Sequence, residues 1–185
     1  MQINLINEQL KIYRTRLGIM NNSTLIYKNL IFQHLDKLNT GPSYKRDSYN
    51  FDIIGNEDFT DNLYSTFLKA SIALFGELTL LSDNKRKCWA QISNRHDIFQ
   101  DRKIHNHINT SIINSVYYFS VPDANSGRLC FCDNNGNDIW SIQPAEGDLI
   151  IFPNYMNHYP ERCNSEVYRI AINMEIICKE NVWNS

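Results

Sequence analysis

The sequence predicts an α+β chain: helices first, then a barrel or sandwich of short antiparallel strands, with the helices packed on its outside. Three observations lead there. Apolar residues recur at helical spacing over much of the first 80 residues. From residue 87 the pattern changes to short apolar runs separated by Gly, Pro, Asn and Asp. No repeat and no long linker divides the chain, so its 185 residues are expected to form a single domain, 1–185, with 1–80 mostly helical and 87–177 as the core.

The elements follow in order. TLIYKNLIFQHLDKL (24–38) places Leu25, Leu30, Phe32, Leu35 and Leu38 at roughly helical spacing, with Ser23 or Thr24 as cap. Gly41 and Pro42 end that helix. NEDFTDNLYSTFLKASIALFG (56–76) is the strongest helix. Its acidic first turn suits the helix dipole, Leu63, Phe67, Ala70 and Leu74 share a stripe, and Gly76 closes it. Strands are then expected over 87–93, 111–122, 128–133, 139–144, 147–153 and 166–177. Pro122 with DANSG, and NNGND after RLCFCD, supply the turns.

Composition narrows the function classes. A hydrophobic content of 43% and an aromatic content of 12% describe a globular chain. The net charge of -2 gives no reason to expect nucleic acid or an acidic membrane as partner. No apolar run approaches a membrane span, and MQINLINEQLKIYRTR lacks the apolar stretch of a signal peptide, so a cytoplasmic location is expected. The five cysteines, Cys88, Cys130, Cys132, Cys163 and Cys178, are odd in number and form no C-x-x-C pair, as expected of reduced thiols. Cys130 and Cys132 would share a strand face and could serve as soft ligands, although buried strand cysteines are ordinarily small apolar residues.

The chemistry is concentrated in the histidines. Of five in the chain, His105 and His107 form an H-x-H pair in KIHNHINTS, and His158 lies in GDLIIFPNYMNHYPE. Residues i and i+2 of a strand point to one side, so the pair would present two imidazoles to one cavity, and His158, from a loop, would complete a three-point metal face. Imidazole suits Fe, Zn, Cu and Ni, and three protein ligands leave positions open for substrate or oxygen. His34, in the first helix, and His96, in NRHDIFQDR, read as ordinary polar residues. Arg169 follows His158 by eleven residues, in VYRIAINMEI. Its face continues with Ala171 and Asn173, small enough to leave a cavity, whereas Ile170 and Ile172 lie on the other. Gln91 and Ser93 share a face with Trp89 on the first strand and could point into the same space.

Taken in order, these segments resemble the double-stranded β-helix oxygenases that use iron(II) and 2-oxoglutarate, in the prolyl-hydroxylase-like branch. The resemblance runs over roughly residues 87–177. It rests on the H-x-H pair, SVYYFS with Tyr118, GRLCFCD, SIQPAEGDLIIFPNYMNH and YRIAINMEI. It implies a jelly-roll, cupin-like barrel in which His105, His107 and His158 hold iron(II). Arg169 and Tyr118 would bind the far carboxylate of 2-oxoglutarate, with Gln91 as a further cosubstrate contact. It also implies O2 as co-substrate, succinate and CO2 as products, and hydroxylation of a peptide side chain or a polar small molecule.

One departure stands out. The family pattern is H-x-D/E with a distal His, whereas position 107 is His. Either three imidazoles bind the metal or one of the pair does so with water in the third place; Asp133, in a turn, is a poor substitute. The same segments also resemble cupins: Gly147, five residues, Pro153, four more, then His158. The acid that cupins carry after H-x-H is missing from HINTSIINS, as is the glycine between Pro153 and His158. A cupin-type dioxygenase without 2-oxoglutarate and a non-catalytic binding module are therefore the rivals. The substrate and the oligomeric state stay open, a homodimer being one possibility.

Overall fold

The computed structural model describes residues 1–18, 22–40, 50–52, 57–81, 87–97 and 103–184. Among the described residues ten strands and two α-helices follow in chain order. They are β1 (Ile3–Asn7), β2 (Ile12–Arg16), α1 (Ser23–Thr40), β3 (Asn50–Asp52), α2 (Glu57–Phe75), β4 (Lys87–Ser93), β5 (Ile113–Ser120), β6 (Leu129–Cys132), β7 (Asp138–Ile142), β8 (Asp148–Pro153), β9 (Asn157–Pro160) and β10 (Arg169–Ile176). All pairings are antiparallel. The major sheet has the order β1-β2-β8-β5-β10-β4-β3 and the minor sheet β7-β6-β9.

Alternation along the strands builds two separate cores. On β5, β8 and β10 one set of residues turns outward: Ile113, Tyr117, Phe119, Leu149, Ile151, Ile170, Ile172, Met174 and Ile176. They meet Ile26 and Leu30 of α1 and Phe59, Leu63, Phe67 and Ala70 of α2. The alternate set, Val116, Tyr118, Ile150, Phe152 and Ala171, turns inward against Leu129, Phe131 and Ile142 of the minor sheet. The expected α+β architecture, a double-stranded β-helix with helices outside it, is the one observed.

The α2 stripe is as expected: Leu63, Phe67 and Ala70 are buried, Leu74 is half-buried, and Gly76 ends the helix at φ +80°. The α1 stripe is different. Leu25 and Phe32 are exposed, and the face on the sheet is Ile26 and Leu30, flanked by Tyr27 and Ile31. The sequence offers overlapping i, i+4 stripes, and only the sheet chooses among them. The helix begins at Ser23 on the carbonyl of Asn22, which accepts from Leu25 and Ile26. Gly41 and Pro42, and the side chains of His34, Leu35 and Leu38, lie outside the described residues.

The N-terminal region is less helical than expected, because residues 3–16 form a β-hairpin whose second strand pairs with β8. Its turn carries no Asn-Gly or Asp-Gly signal; Lys11 takes up the positive φ instead, at +51°. The hairpin is fastened through Asp148, whose side chain is fully buried. That carboxylate accepts from Arg14 at 2.6 Å, Arg16 at 3.3 Å and the backbone N–H of Ala145 at 2.7 Å.

Three expectations follow for stability. Phe67→Ala, which empties a fully buried site between α2 and the sheet, should cost about 3–5 kcal/mol, whereas Phe32→Ala on the exposed face should cost under about 0.5 kcal/mol. Asp148→Asn should cost about 2 kcal/mol by weakening charge-assisted bonds. Urea unfolding curves measure all three.

Candidate metal centre and cosubstrate cavity

His105, His107 and His158 come together: their candidate ligand atoms all lie within 4.8 Å of one another. Ring centroids are 5.1 Å apart for His105–His107, 4.4 Å for His105–His158 and 5.2 Å for His107–His158. A metal with bonds of about 2.1 Å to nitrogen places neighbouring donors roughly 3 Å apart.

Backbone contacts hold the three together. His105 and His158 exchange two main-chain hydrogen bonds, at 3.1 and 2.9 Å, as an isolated bridge. The N–H of His107 donates to the carbonyl of Asn154 at 2.8 Å, and Asn154 Nδ2 donates to the carbonyl of Ser111 at 2.7 Å. All three ligand-bearing segments are thus anchored on residues 154–158. Two expectations are corrected here. The H-x-H pair lies in an extended segment with a single bridge, not in a regular strand, and His158 belongs to the short strand β9, not to a loop. The cause is the same in both: one residue-long bridge and a four-residue strand leave too little periodic pattern to read.

Each imidazole also has its Nδ1 engaged. His105 Nδ1 lies 3.0 Å from the carbonyl of Lys103, His158 Nδ1 2.9 Å from that of Met156, and His107 Nδ1 2.6 Å from Glu175 Oε1. Carbonyl and carboxylate oxygens only accept, so each Nδ1 carries a proton and Nε2 is the nitrogen turned to a metal, the arrangement expected of metal-binding histidines. Burial, together with the neighbouring His105, pushes the His158 imidazole down to about 3, and partial burial lowers His105 as well. Neutral rings are what a metal requires. Phe152 and Phe131 pack against His158, with ring centroids at 4.7 and 6.3 Å.

A cavity of about 70 Å³ opens beside His105 and His158, lined along β10 by Arg169, Ala171 and Asn173, along β4 by Trp89 and Gln91, and along β5 by Val116 and Tyr118. The parity expected for Arg169, Ala171 and Asn173, and for Gln91 beside Trp89, is the parity found. A β-bulge between Ile170 and Ala171 sets Ala171 opposite Tyr118, which is fully buried. Burial raises the Tyr118 hydroxyl well above its ordinary value, so it stays protonated.

Arg169 closes the far end. It is 2% exposed, and among the described residues no carboxylate pairs with it. Nη1 donates to the carbonyls of Ser126 (2.6 Å) and Glu161 (2.9 Å), and Nη2 to Ser93 Oγ (3.1 Å). Nε has no partner although it is buried. Nε–H and one remaining N–H of Nη2 therefore form an unfilled fork. A buried cation left this way suits an incoming carboxylate. Residues 93–97 and 161–166 are tied to each other at this end, by Arg95 N–H to the Ser165 carbonyl and by Arg95 and His96 to Glu166.

The other candidates fall away from the centre. Cys130 and Cys132 form a separate cluster with Tyr159 on the face of β6 opposite Phe131. Asp133 is occupied within its own turn by Asn135 and Asn137, which hold its carboxyl below the usual range. The residue that sequence reading passed over is Glu175. Its signal was present, since it shares strand parity with Arg169.

Residues 87–175 match the family described as putative 2OG-Fe(II) oxygenase. Over those residues the barrel is similar to this oxygenase family. The family uses iron(II) and 2-oxoglutarate, and the chain offers a fitting donor set for each: three imidazoles with Nε2 free, and a buried arginine fork. The solved structures it is similar to share the fold at low identity. A prolyl-4-hydroxylase from Pseudomonas putida gives a TM-score of 0.55 at 12% identity, covering 90% of this chain and 88% of that one. AviO1 from Streptomyces viridochromogenes gives 0.60 at 11%, covering 92% and 90%. SnoK, a non-heme α-ketoglutarate-dependent carbocyclase of nogalamycin biosynthesis, gives 0.59 at 8%, covering 89% and 79%. No curated protein matches the chain.

Gly127 provides a sharp test of the Arg169 pocket. At φ +83° a Cβ would lie 2.7 Å from the Arg162 carbonyl oxygen, 2.8 Å from that of Glu161 and 2.9 Å from Arg169 Nη1. Gly127→Ala should displace the guanidinium and weaken 2-oxoglutarate binding at least about tenfold while costing over about 1 kcal/mol. Calorimetric titration and thermal melts read both.

Proposed function

We propose that this oxygenase hydroxylates a peptide side chain or a polar small molecule, releasing succinate and CO2. In this reading His105, His107 and His158 hold iron(II) through Nε2. Arg169, with Tyr118 and Gln91, holds 2-oxoglutarate. Residues 1–185 act as one domain, with 87–177 as the catalytic core and residues 1–80 as its support. The observation that carries the reading is a three-histidine cluster of which His105 and His158 share one cavity with a buried, unmatched arginine fork.

The division of labour follows from the residues. The Arg169 fork is fixed by three hydrogen bonds before any ligand arrives, so little freedom is lost on binding a carboxylate. Tyr118, held neutral by burial, is a donor facing the same space. The Gln91 amide and the Trp89 ring flank the route from Arg169 toward the histidines. Val116, Leu129 and Ala171 keep that route apolar and limit water. Bound iron and cosubstrate supply the oxygen-activating redox chemistry that no side chain here can provide. A cupin-type reaction without 2-oxoglutarate leaves Arg169 with no ligand to bind and is not favoured.

All five cysteines are free thiols, which supports a reducing, cytoplasmic setting. Among the described residues no helix is long and apolar enough to cross a membrane.

The test is turnover of 2-oxoglutarate to succinate by purified protein with added iron(II), with or without a substrate. Wild type should produce succinate. Arg169→Ala should raise the KM for 2-oxoglutarate at least about a hundredfold by removing a charge-assisted, bidentate contact, and His158→Ala should abolish turnover. Iron-loaded protein that neither binds nor turns over 2-oxoglutarate would sink the reading.

A further inference from the structure

We infer that Glu175 is a positioning residue for the metal: it orients His107 and supplies, one imidazole removed, the negative charge that a carboxylate ligand would otherwise bring. The inference rests on the three-histidine reading above.

Three observations lead to it. First, Glu175 is inside. It stands on β10 at the parity of Arg169, Ala171 and Asn173, and is 3% exposed. Placing a carboxylate there is costly unless charge and hydrogen bonds compensate. Second, its Oε1 lies 2.6 Å from His107 Nδ1 and also accepts from Thr110 Oγ1 at 3.3 Å. The loop brings Thr110 there by folding on His107 itself, whose carbonyl accepts from the N–H groups of Thr110 (2.9 Å) and Ser111 (3.1 Å). Third, the three histidines are not equivalent. His105 and His158 present Nδ1 to neutral backbone carbonyls two residues earlier, and His107 alone among them faces a carboxylate.

The consequence is chemical. A metal with two histidines and a carboxylate has one unit of negative charge among its ligands. Three neutral imidazoles have none. A carboxylate on the distal nitrogen fixes the tautomer, aims Nε2 and makes the ring a stronger donor. The His107–Glu175 pair thus stands in for the missing acidic ligand, with its charge displaced across one ring.

Co(II) is a suitable probe, since it reports both affinity and coordination geometry without turnover. Co(II) titrations by calorimetry and visible absorption would compare wild type, Glu175→Gln, Glu175→Met and His107→Ala, each with its metal-free melting curve. Glu175→Gln keeps size and an acceptor but loses the charge; Glu175→Met keeps volume and loses both. Affinity should fall about tenfold in Glu175→Gln and up to about a hundredfold in Glu175→Met, with an altered Co(II) spectrum. In the metal-free protein, imidazole 15N shifts should report the Nδ1–H tautomer of His107 in wild type and a tautomer mixture in Glu175→Met. If both Glu175 variants bind Co(II) within twofold of wild type while His107→Ala loses at least a hundredfold, the Glu175 inference is wrong and the three-histidine reading stands. If His107→Ala also binds within twofold, it is the three-histidine reading that falls, and the inference with it. Should Glu175→Met fail to fold, Glu175→Gln decides.

Discussion

Strict alternation along β10 is the constraint on which the rest depends. The strand lies inside the major sheet, hydrogen-bonded to β5 on one side and β4 on the other. Ile170, Ile172, Met174 and Ile176 are sealed under the helices, which leaves Arg169, Ala171, Asn173 and Glu175 no choice but the interior. A slip of one residue would drive an arginine and a glutamate into the helix interface and is excluded by the cost of burying them there. The apolar core on one face therefore sets the position of the chemistry on the other.

The cavity that results is polarised by Arg169. Arg169 lines it together with His105 and His158, while Glu175, six residues on, stands behind His107, outside that lining. The lining mixes the apolar Val116, Leu129 and Ala171 with the polar Gln91, Tyr118 and Asn173. The guanidinium gives its end of the cavity a positive potential that draws an anionic ligand. Backbone bonds, together with the rings of Phe131 and Phe152 against His158, hold the three histidines, because each of their segments is anchored on residues 154–158. Main-chain anchoring of this kind restricts ligand motion more tightly than rotamer preference alone.

The N-terminal region has a supporting part in this arrangement. Helices α1 and α2 cover the outer face of the major sheet, and the hairpin β1–β2 extends that sheet from β8. Asp148 sits at the junction, caps the turn before β8 and receives both hairpin arginines. Strand β8 in turn leads through Asn154 to His158. Hairpin, turn and metal centre are therefore linked through a single strand.

Much of this was legible in the sequence. The order of helices and strands, the α2 stripe, the inward parity of Arg169 and the set His105, His107, His158 follow from local periodicity and from a few chemically distinctive side chains. Periodicity fails where the pattern is short or redundant. The hairpin at 3–16 has a turn without turn-forming dipeptides, α1 offers several stripes of equal strength, and the bridge at His105 is one residue long. Glu175 had the right parity, but no local rule distinguishes a buried glutamate from an exposed one at a strand's end. Only tertiary structure brings Asn154 to His107, His105 to His158 and Glu175 to His107. These contacts join residues remote in sequence, and their strength depends on burial and distance, quantities that a linear chain does not carry.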